Sequence, residues 1–263
     1  MNMLSSDRYE RINNVGIEMK KMDKDERLIH EVAHGKVIAE KGEAIWNWSS
    51  PAGKRRWARR SRMFVDFLAN RNKRVLEIGC GTGLFTKEIA MTDNEITAID
   101  ISEDLIAIAR NRSNTGNVTF LVENAYETQF ENENFDVIVG SSSLHHLDMS
   151  RALSEIYRLL KYGGELMFTE PNMLNPQIAL QKNIRFLKKL AGDSPDETAF
   201  FRWRISRMLK AAGFRNVVVV PFDFVHPGIP AVFVNALLPF LDFMERVPLL
   251  KEMAGSLIIK ARK

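Results

Sequence analysis

The sequence predicts an α/β fold built on one sheet of seven strands, mainly parallel, with helices on both faces. Three observations carry this expectation. From Arg74 onward, strand-like and helix-like runs alternate at the spacing of βαβ units. The first strand-like run ends in three glycines directly before a helical run, and the second ends in an acid, Asp100.

The elements follow in order. Arg74 to Ile78 is a short apolar strand, Leu84 to Met91 a helix and Ile96 to Asp100 the second strand. Glu103 to Arg112 places Leu105, Ile106, Ile108 and Ala109 at helical spacing, and Val118 to Glu123 reads as the third strand. Phe135 to Gly140 is the fourth. Ala152 to Leu160 is an amphipathic helix that Gly163 and Gly164 are expected to stop, and Glu165 to Thr169 is the fifth strand. A helix over Arg204 to Ala212, with Gly213 as its stop, leads to Val217–Val220, and Ser256 to Ala261 completes the seven strands. Three segments lie outside this alternation: residues 1–70, 171–199 and 221–255. Specificity elements belong there, because open α/β sheets build their ligand crevices at the carboxyl ends of the strands. We therefore divide one domain, 1–263, into a helical cover (1–70), a cofactor-binding core (71–220) and an apolar insertion with the final strand (221–263).

Of the 263 residues, 45% are hydrophobic and 27% charged, which suits a globular chain with a real core and excludes disorder. The one cysteine, Cys80, rules out an internal disulfide framework and fits a reducing compartment. Met1 to Lys24 lacks the continuous apolar stretch of a secretory leader, and the uncharged run Phe224 to Leu241 is interrupted by three prolines. A cytoplasmic protein is expected. A net charge of +4 suits an anionic partner without identifying one.

In Glu77-Ile78-Gly79-Cys80-Gly81-Thr82-Gly83, the backbone has to pass close to a ligand, and glycine permits that approach. A nicotinamide-dinucleotide loop would place glycine at position 84, where Leu84 stands, so the spacing is G-x-G-x-G. Asp100, 17 residues beyond Gly83, is placed to accept hydrogen bonds from two ribose hydroxyls.

With Phe135-Asp136-Val137-Ile138, Leu144-His145-His146-Leu147, the stretch Glu155 to Gly164 and Ala211-Ala212-Gly213-Phe214, this loop resembles class I S-adenosylmethionine-dependent methyltransferases. The likeness is greatest to the branch of ubiquinone and menaquinone biosynthesis enzymes, over roughly residues 72–220. It implies a Rossmann-like seven-stranded, mostly parallel sheet whose last strand is antiparallel, and S-adenosylmethionine as cofactor. It further implies that Glu77, Gly79, Cys80, Gly81 and Gly83 surround the methionine and ribose end, with Asp100 on the ribose and Ile101 against adenine. Asn124 and Ala125 would face the adenine edge, and the backbone carbonyl of Ser141 the methionine amine. Where the family often has aspartate, Asn124 would offer an amide oxygen.

Methyl transfer from a sulfonium is an in-line displacement, so positioning comes first, and a hydroxyl or protonated amine must also lose a proton. Histidine suits that task. His145 and His146 follow the fourth strand and Glu170 ends the fifth, so these three are the catalytic candidates, His145 ahead of His146 as base. Glu170 would either orient the histidine or bind the acceptor.

His30-Glu31-Val32-Ala33-His34 reads as H-E-x-x-H, the zinc-peptidase pattern, but position 37 is Val where the extended motif has Gly. We read it as coincidence and expect no metal; a zinc peptidase using His30 and His34 is the remote alternative. Lys54 to Arg62 holds six cations in nine residues, with Trp57, Phe64 and Phe67 or Leu68 recurring at helical spacing. The apolar face is expected inward and the arginines outward, as a solvated face or as a site for a phosphate or carboxylate of substrate or cofactor. No dedicated nucleic-acid module is evident. Between the last two strands, Phe222 to Phe243 carries twelve large apolar residues, with prolines expected to break it into short pieces. The expected function is methyl transfer to oxygen or nitrogen of a small-molecule or lipid-linked acceptor bearing an anionic group, with peripheral membrane contact. The alternative is an adenosylmethionine-binding regulator without catalysis.

Overall fold

Strands that are apolar at nearly every position need cover on both faces, and the central strands of this chain have it. The computed structural model describes residues 26–42, 46–69, 72–113 and 115–263. The elements are α1 (residues 26–41), α2 (Pro51–Leu68), β1 (Arg74–Ile78), α3 (Leu84–Ile89), β2 (Glu95–Asp100), α4 (Glu103–Arg112), β3 (Val118–Val122) and β4 (Phe135–Ser141). They continue with α5 (Met149–Leu159), β5 (Leu160–Pro171), α6 (Pro176–Asn183), α7 (Arg185–Leu190), α8 (Arg202–Ala211), β6 (Arg215–Phe222), α9 (Ala231–Arg246), α10 (Pro248–Lys251) and β7 (Ser256–Arg262).

The seven strands form one sheet in the order β3-β2-β1-β4-β5-β7-β6. β1 to β5 pair in parallel, and β7 runs antiparallel between β5 and β6, with Glu165 opposite Arg262 and Pro171 opposite Ser256. Adjacent residues on one strand point to opposite faces. Leu76, Ile138 and Phe168 therefore join α5 and α8 through Ile156, Leu159, Ile205 and Leu209 in one core. Their neighbours Val75, Val137 and Met167 join Phe64 and Leu68 of α2, Phe85 of α3 and Ala109 of α4 in the other. The chain leaves β1 for β2 on one side and places β4 on the other, so the crevice of the sheet opens above the ends of β1 and β4.

Three local expectations change. The helix before β5 ends at Leu159, not at the glycine pair; Gly163 and Gly164 lie inside β5, where Gly163 takes φ +77 as the chain bends into its long pairing with β7. The segment after β6 is not broken into short pieces: Pro239 sits within the 16-residue α9. Its missing N–H removes one rung, while Val234 and Leu238, one turn apart, bury themselves against Ala52 of α2 and Val225. The arginines of α2 do not all face outward, since Arg60 is 2% exposed. The expected cover before residue 26 lies outside the described residues.

Candidate active site

A cavity of about 760 Å³ opens at this crevice. Its floor is the loop Gly79 to Thr82 with the ends of β2 and β4; its roof is α1, α2 and the two segments following β5 and β6.

The loop is shaped by glycine for two different reasons. A Cβ on Gly79 would lie 2.7 Å from Cβ of Ser143, and one on Gly83 2.9 Å from Cβ of Ala109, so the protein's own packing excludes side chains there. A Cβ on Gly81, at φ +53, would meet nothing within 4 Å. That position opens into the cavity, where a ligand approaches bare backbone. Asp100 completes the cradle: Oδ2 accepts from the Gly81 N–H at 2.9 Å and Oδ1 from the Ser102 N–H at 2.9 Å. A carboxylate has about four acceptor positions, so capacity remains toward the cavity for a vicinal diol. These features fit the adenosyl part of S-adenosylmethionine.

Cys80, Gly79, Gly81, Asp100, Ile101, Asn124, Ala125 and Ser141 all line the cavity. Gly83 supports the loop from beneath. Glu77 is not in the lining; it is 1% exposed under the loop, burial lifts its carboxyl to about 8, and its Oε2 has no hydrogen-bond partner among the described residues. Asn124 Oδ1 accepts from the Tyr126 N–H at 3.0 Å, which fixes the turn at the end of β3. Burial pushes the Cys80 thiol well up, away from nucleophilic use.

The turn after β4 leaves the sheet sharply: Ser142 takes φ +59 and its N–H donates to Thr169 O at 2.7 Å. Leu144–His146 then forms a 3₁₀ turn. Glu170, fully buried, organises it. Oε1 accepts from the N–H groups of Ser143 at 3.1 Å and Leu144 at 2.8 Å, and Oε2 accepts from the His145 N–H at 3.3 Å. Oε2 also lies 2.7 Å from His145 Nδ1. An ionised carboxylate can only accept, so Nδ1 carries the proton and Nε2 keeps its lone pair. Glu170 thus orients the histidine and is not exposed to bind an acceptor.

The two histidines differ in charge because their surroundings differ. Burial, and then the neighbouring His146, hold His145 below its ordinary pKa despite Glu170. Burial acts the same way on His146, but its close pairing with the Glu31 carboxylate and the charge of Glu197 outweigh it and raise it to about 8. His146 Nδ1 is 2.8 Å from Glu31 Oε2 and 3.7 Å from Glu197 Oε1. Glu197 also lies 3.8 Å from His145 Nε2, 3.7 Å from His34 Nε2 and 2.5 Å from Lys182 Nζ. Burial disfavours its charge, yet the two histidines and Lys182 hold its pKa well below the carboxylate range. The result is a neutral base, His145, beside an imidazolium and a fixed carboxylate.

Sequence reasoning missed Glu197 and Lys182, for which no local pattern exists, and found Arg60 only as one cation of the basic run Lys54 to Arg62. Glu31 and His34 were visible only within the H-E-x-x-H match, whose two histidines take different partners: His30 Nδ1 meets Asp196 at 2.7 Å, while His34 turns into the cavity.

The seven-stranded order, the glycine cradle with Asp100, and the cavity above β1 and β4 define a Rossmann-like, adenosyl-binding class of protein. Within it, residues 76–168 match the family model described as a methyltransferase domain. The chain is 36% identical over 106 residues to a malonyl-[acyl-carrier protein] O-methyltransferase of Bacillus anthracis, covering 39% of each chain. It is 27% identical over 143 residues to a ubiquinone biosynthesis O-methyltransferase of Coxiella burnetii, covering 51% of this chain and 61% of the relative. The matches thus span less than two thirds of these relatives' lengths. Among solved structures, an S-adenosylmethionine-dependent methyltransferase from Mesorhizobium loti shares the fold with a TM-score of 0.58 at 19% identity, covering 77% of this chain and 95% of that one.

Proposed function

We propose that this protein transfers a methyl group from S-adenosylmethionine to an oxygen or nitrogen of a small or lipid-linked acceptor bearing an anionic group, with His145 as general base. The cofactor supplies a methyl group on a sulfonium, electrophilic without help from an enzyme nucleophile. What remains for the protein is to hold the acceptor in line and to take its proton. The observation that carries this reading is the Glu170–His145 pair, which keeps a neutral ring whose Nε2 lone pair lies at the cavity wall, 3.8 Å from Glu197 Oε2. The imidazolium of His146 beside it favours the neutral form of His145. Both relatives described above are O-methyltransferases by name, which favours oxygen. The test is transfer of labelled methyl from the cofactor into metabolite and lipid extracts by the wild type and by His145→Gln. Label that depends on His145 supports the proposal. Cofactor binding without transfer to any fraction favours the regulator reading.

A specific surface favours the lipid-linked form of the acceptor. Phe233, Phe240 and Phe243 of α9 are each more than half exposed, as are Leu180 of α6 and Phe186 and Leu190 of α7. The exposed cations Arg185 and Lys189 alternate with the α7 residues, a pattern that suits an anionic lipid surface. Gln177 of α6 and His226, ahead of α9, meet at 2.7 Å on the cavity rim, so both apolar segments start at its mouth. No helix among the described residues is long and apolar enough to cross a membrane.

A further inference from the structure

The cavity wall around His145 gathers more nitrogen and oxygen donors than the transfer of one proton needs. His145, His146 and Glu197 each bring one such atom, and the three atoms all lie within 4.8 Å of one another. Glu197 Oε2 is 3.8 Å from His145 Nε2, and Glu197 Oε1 is 3.7 Å from His146 Nδ1. Both gaps exceed a hydrogen bond, about 2.7–3.2 Å. They are close to the separation of two ligand atoms on one tetrahedral zinc ion, roughly 3.3–3.6 Å for bonds of about 2.0–2.2 Å.

The surroundings of all three residues suit a metal ion. His145 pairs through Nδ1 with the buried Glu170 at 2.7 Å, which leaves the Nε2 lone pair at the cavity wall. The same carboxylate–histidine arrangement orients metal-bound imidazoles in general. His146 Nδ1 is shut off from solvent and makes no hydrogen bond among the described residues: the Glu31 carboxylate, 2.8 Å away, lies off the direction a ring N–H would take. Glu197 keeps room for a cation. Lys182 occupies one acceptor position on its Oε2 and the Ser194 N–H one on its Oε1, so of about four positions two remain. Lys182 is also shared with Asp193 at 2.8 Å. His34 Nε2 reaches the same carboxylate from α1, at 3.7 Å, whereas His30 turns to Asp196 and takes no part.

We propose that His145 Nε2, His146 Nδ1 and a Glu197 oxygen form a site for one divalent transition-metal ion of the zinc class, and that the bound ion competes with the proton for His145. Two imidazoles and a carboxylate suit zinc, cobalt or nickel better than magnesium or calcium, which prefer oxygen throughout. Both nitrogens bind without their protons, so the ion displaces one from His146. The consequence for His145, though not the site itself, rests on the methyltransferase reading: a lone pair held by a metal cannot take the acceptor's proton. The metal-free protein is then the active form.

Calorimetry of the metal-free protein with zinc chloride, beside the visible spectrum of its cobalt complex, tests the site. The wild type should bind one ion per chain, give the intense cobalt absorption of a tetrahedral site and show no heat with magnesium. Glu197→Gln and His146→Asn should each weaken zinc at least about tenfold. The double variant His30→Asn, His226→Asn should bind as the wild type does, since both histidines lie outside the cluster. Absence of zinc binding at micromolar concentration overturns the site, as does binding that survives both cluster substitutions or disappears in the double variant. Should a cluster variant fail to fold, histidine-ring NMR of the wild type decides: zinc must move the signals of His145 and His146, and a shift confined to His30 or His226 overturns the site. Transfer of labelled methyl should fall in step with zinc occupancy and return with EDTA. Transfer unchanged or raised at full occupancy overturns the competition with the proton. A wild type that transfers no label with or without zinc refutes the methyltransferase reading alone, and the zinc titration still decides the site.

Discussion

Glu170 Oε2 stands 2.7 Å from His145 Nδ1 while the same carboxylate accepts the backbone N–H groups of Ser143, Leu144 and His145. One acid therefore holds both the ring and the turn that carries it. His145→Gln should lower kcat by about 10²–10⁴-fold, the usual range for a lost general base, with little change in cofactor affinity. Steady-state kinetics on the acceptor found by labelling, beside calorimetry with S-adenosylhomocysteine, checks this. Retained kcat would mean that catalysis is by positioning alone.

Glu170→Gln should cost both stability and rate. The amide has one acceptor oxygen where the carboxylate has two, so at least one buried N–H loses its partner, at about 1–3 kcal/mol. Denaturant unfolding measures that loss. A variant as stable as the wild type would show that the turn does not depend on Glu170.

Asp100→Ala should weaken S-adenosylhomocysteine binding by at least about tenfold, since acceptors for two hydroxyls are removed. The Gly81 and Ser102 N–H groups also lose their acceptor. Asp100→Asn, which keeps one oxygen, should fall between the two. Unchanged affinity in calorimetry would remove Asp100 from the cofactor site.

The two histidines set opposite pH limits. His145 is held below its ordinary value of 6.5, so it stays neutral in the folded protein, and kcat/KM should fall only as pH drops below that value. His146 is raised from 6.5 to about 8 by Glu31 and Glu197. A raised histidine contributes stability that is complete below 6.5 and is lost as pH rises through about 8. That contribution is on the order of 1–2 kcal/mol and falls on the docking of α1. Hydrogen exchange of α1 should accelerate between pH 6.5 and 8 in the wild type and be pH-independent, beyond intrinsic exchange, in Glu31→Gln. Equal pH responses in the two proteins would dissociate α1 docking from His146.

Flotation with vesicles containing phosphatidylglycerol tests the apolar surface of α9. The intact protein should float with them and much less with phosphatidylcholine alone, and the double variant Phe233→Asp, Leu237→Asp should stay in the pellet fraction. An intact protein that does not float rejects the lipid surface and leaves a small soluble acceptor.

The amino-acid sequence by itself determined the alternation of strands and helices, the glycine loop with Asp100, and the placement of His145 and Glu170 at the ends of neighbouring strands. These are local properties: side-chain period, turn chemistry and strand ends are written within about ten residues. Tertiary structure decided the rest. Glu31 reaches His146 across 115 positions, Glu197 reaches His145 across 52, and Arg60 meets Ser256 across 196. Nothing in the residues around Glu197 or Arg60 distinguishes a buried charge from a solvated one, because burial depends on which distant segment folds over it. The same reason made α9 misleading: Pro239 argued locally for a break, and the packing of Val234 and Leu238 against Ala52 and Val225, visible only in three dimensions, holds the helix together.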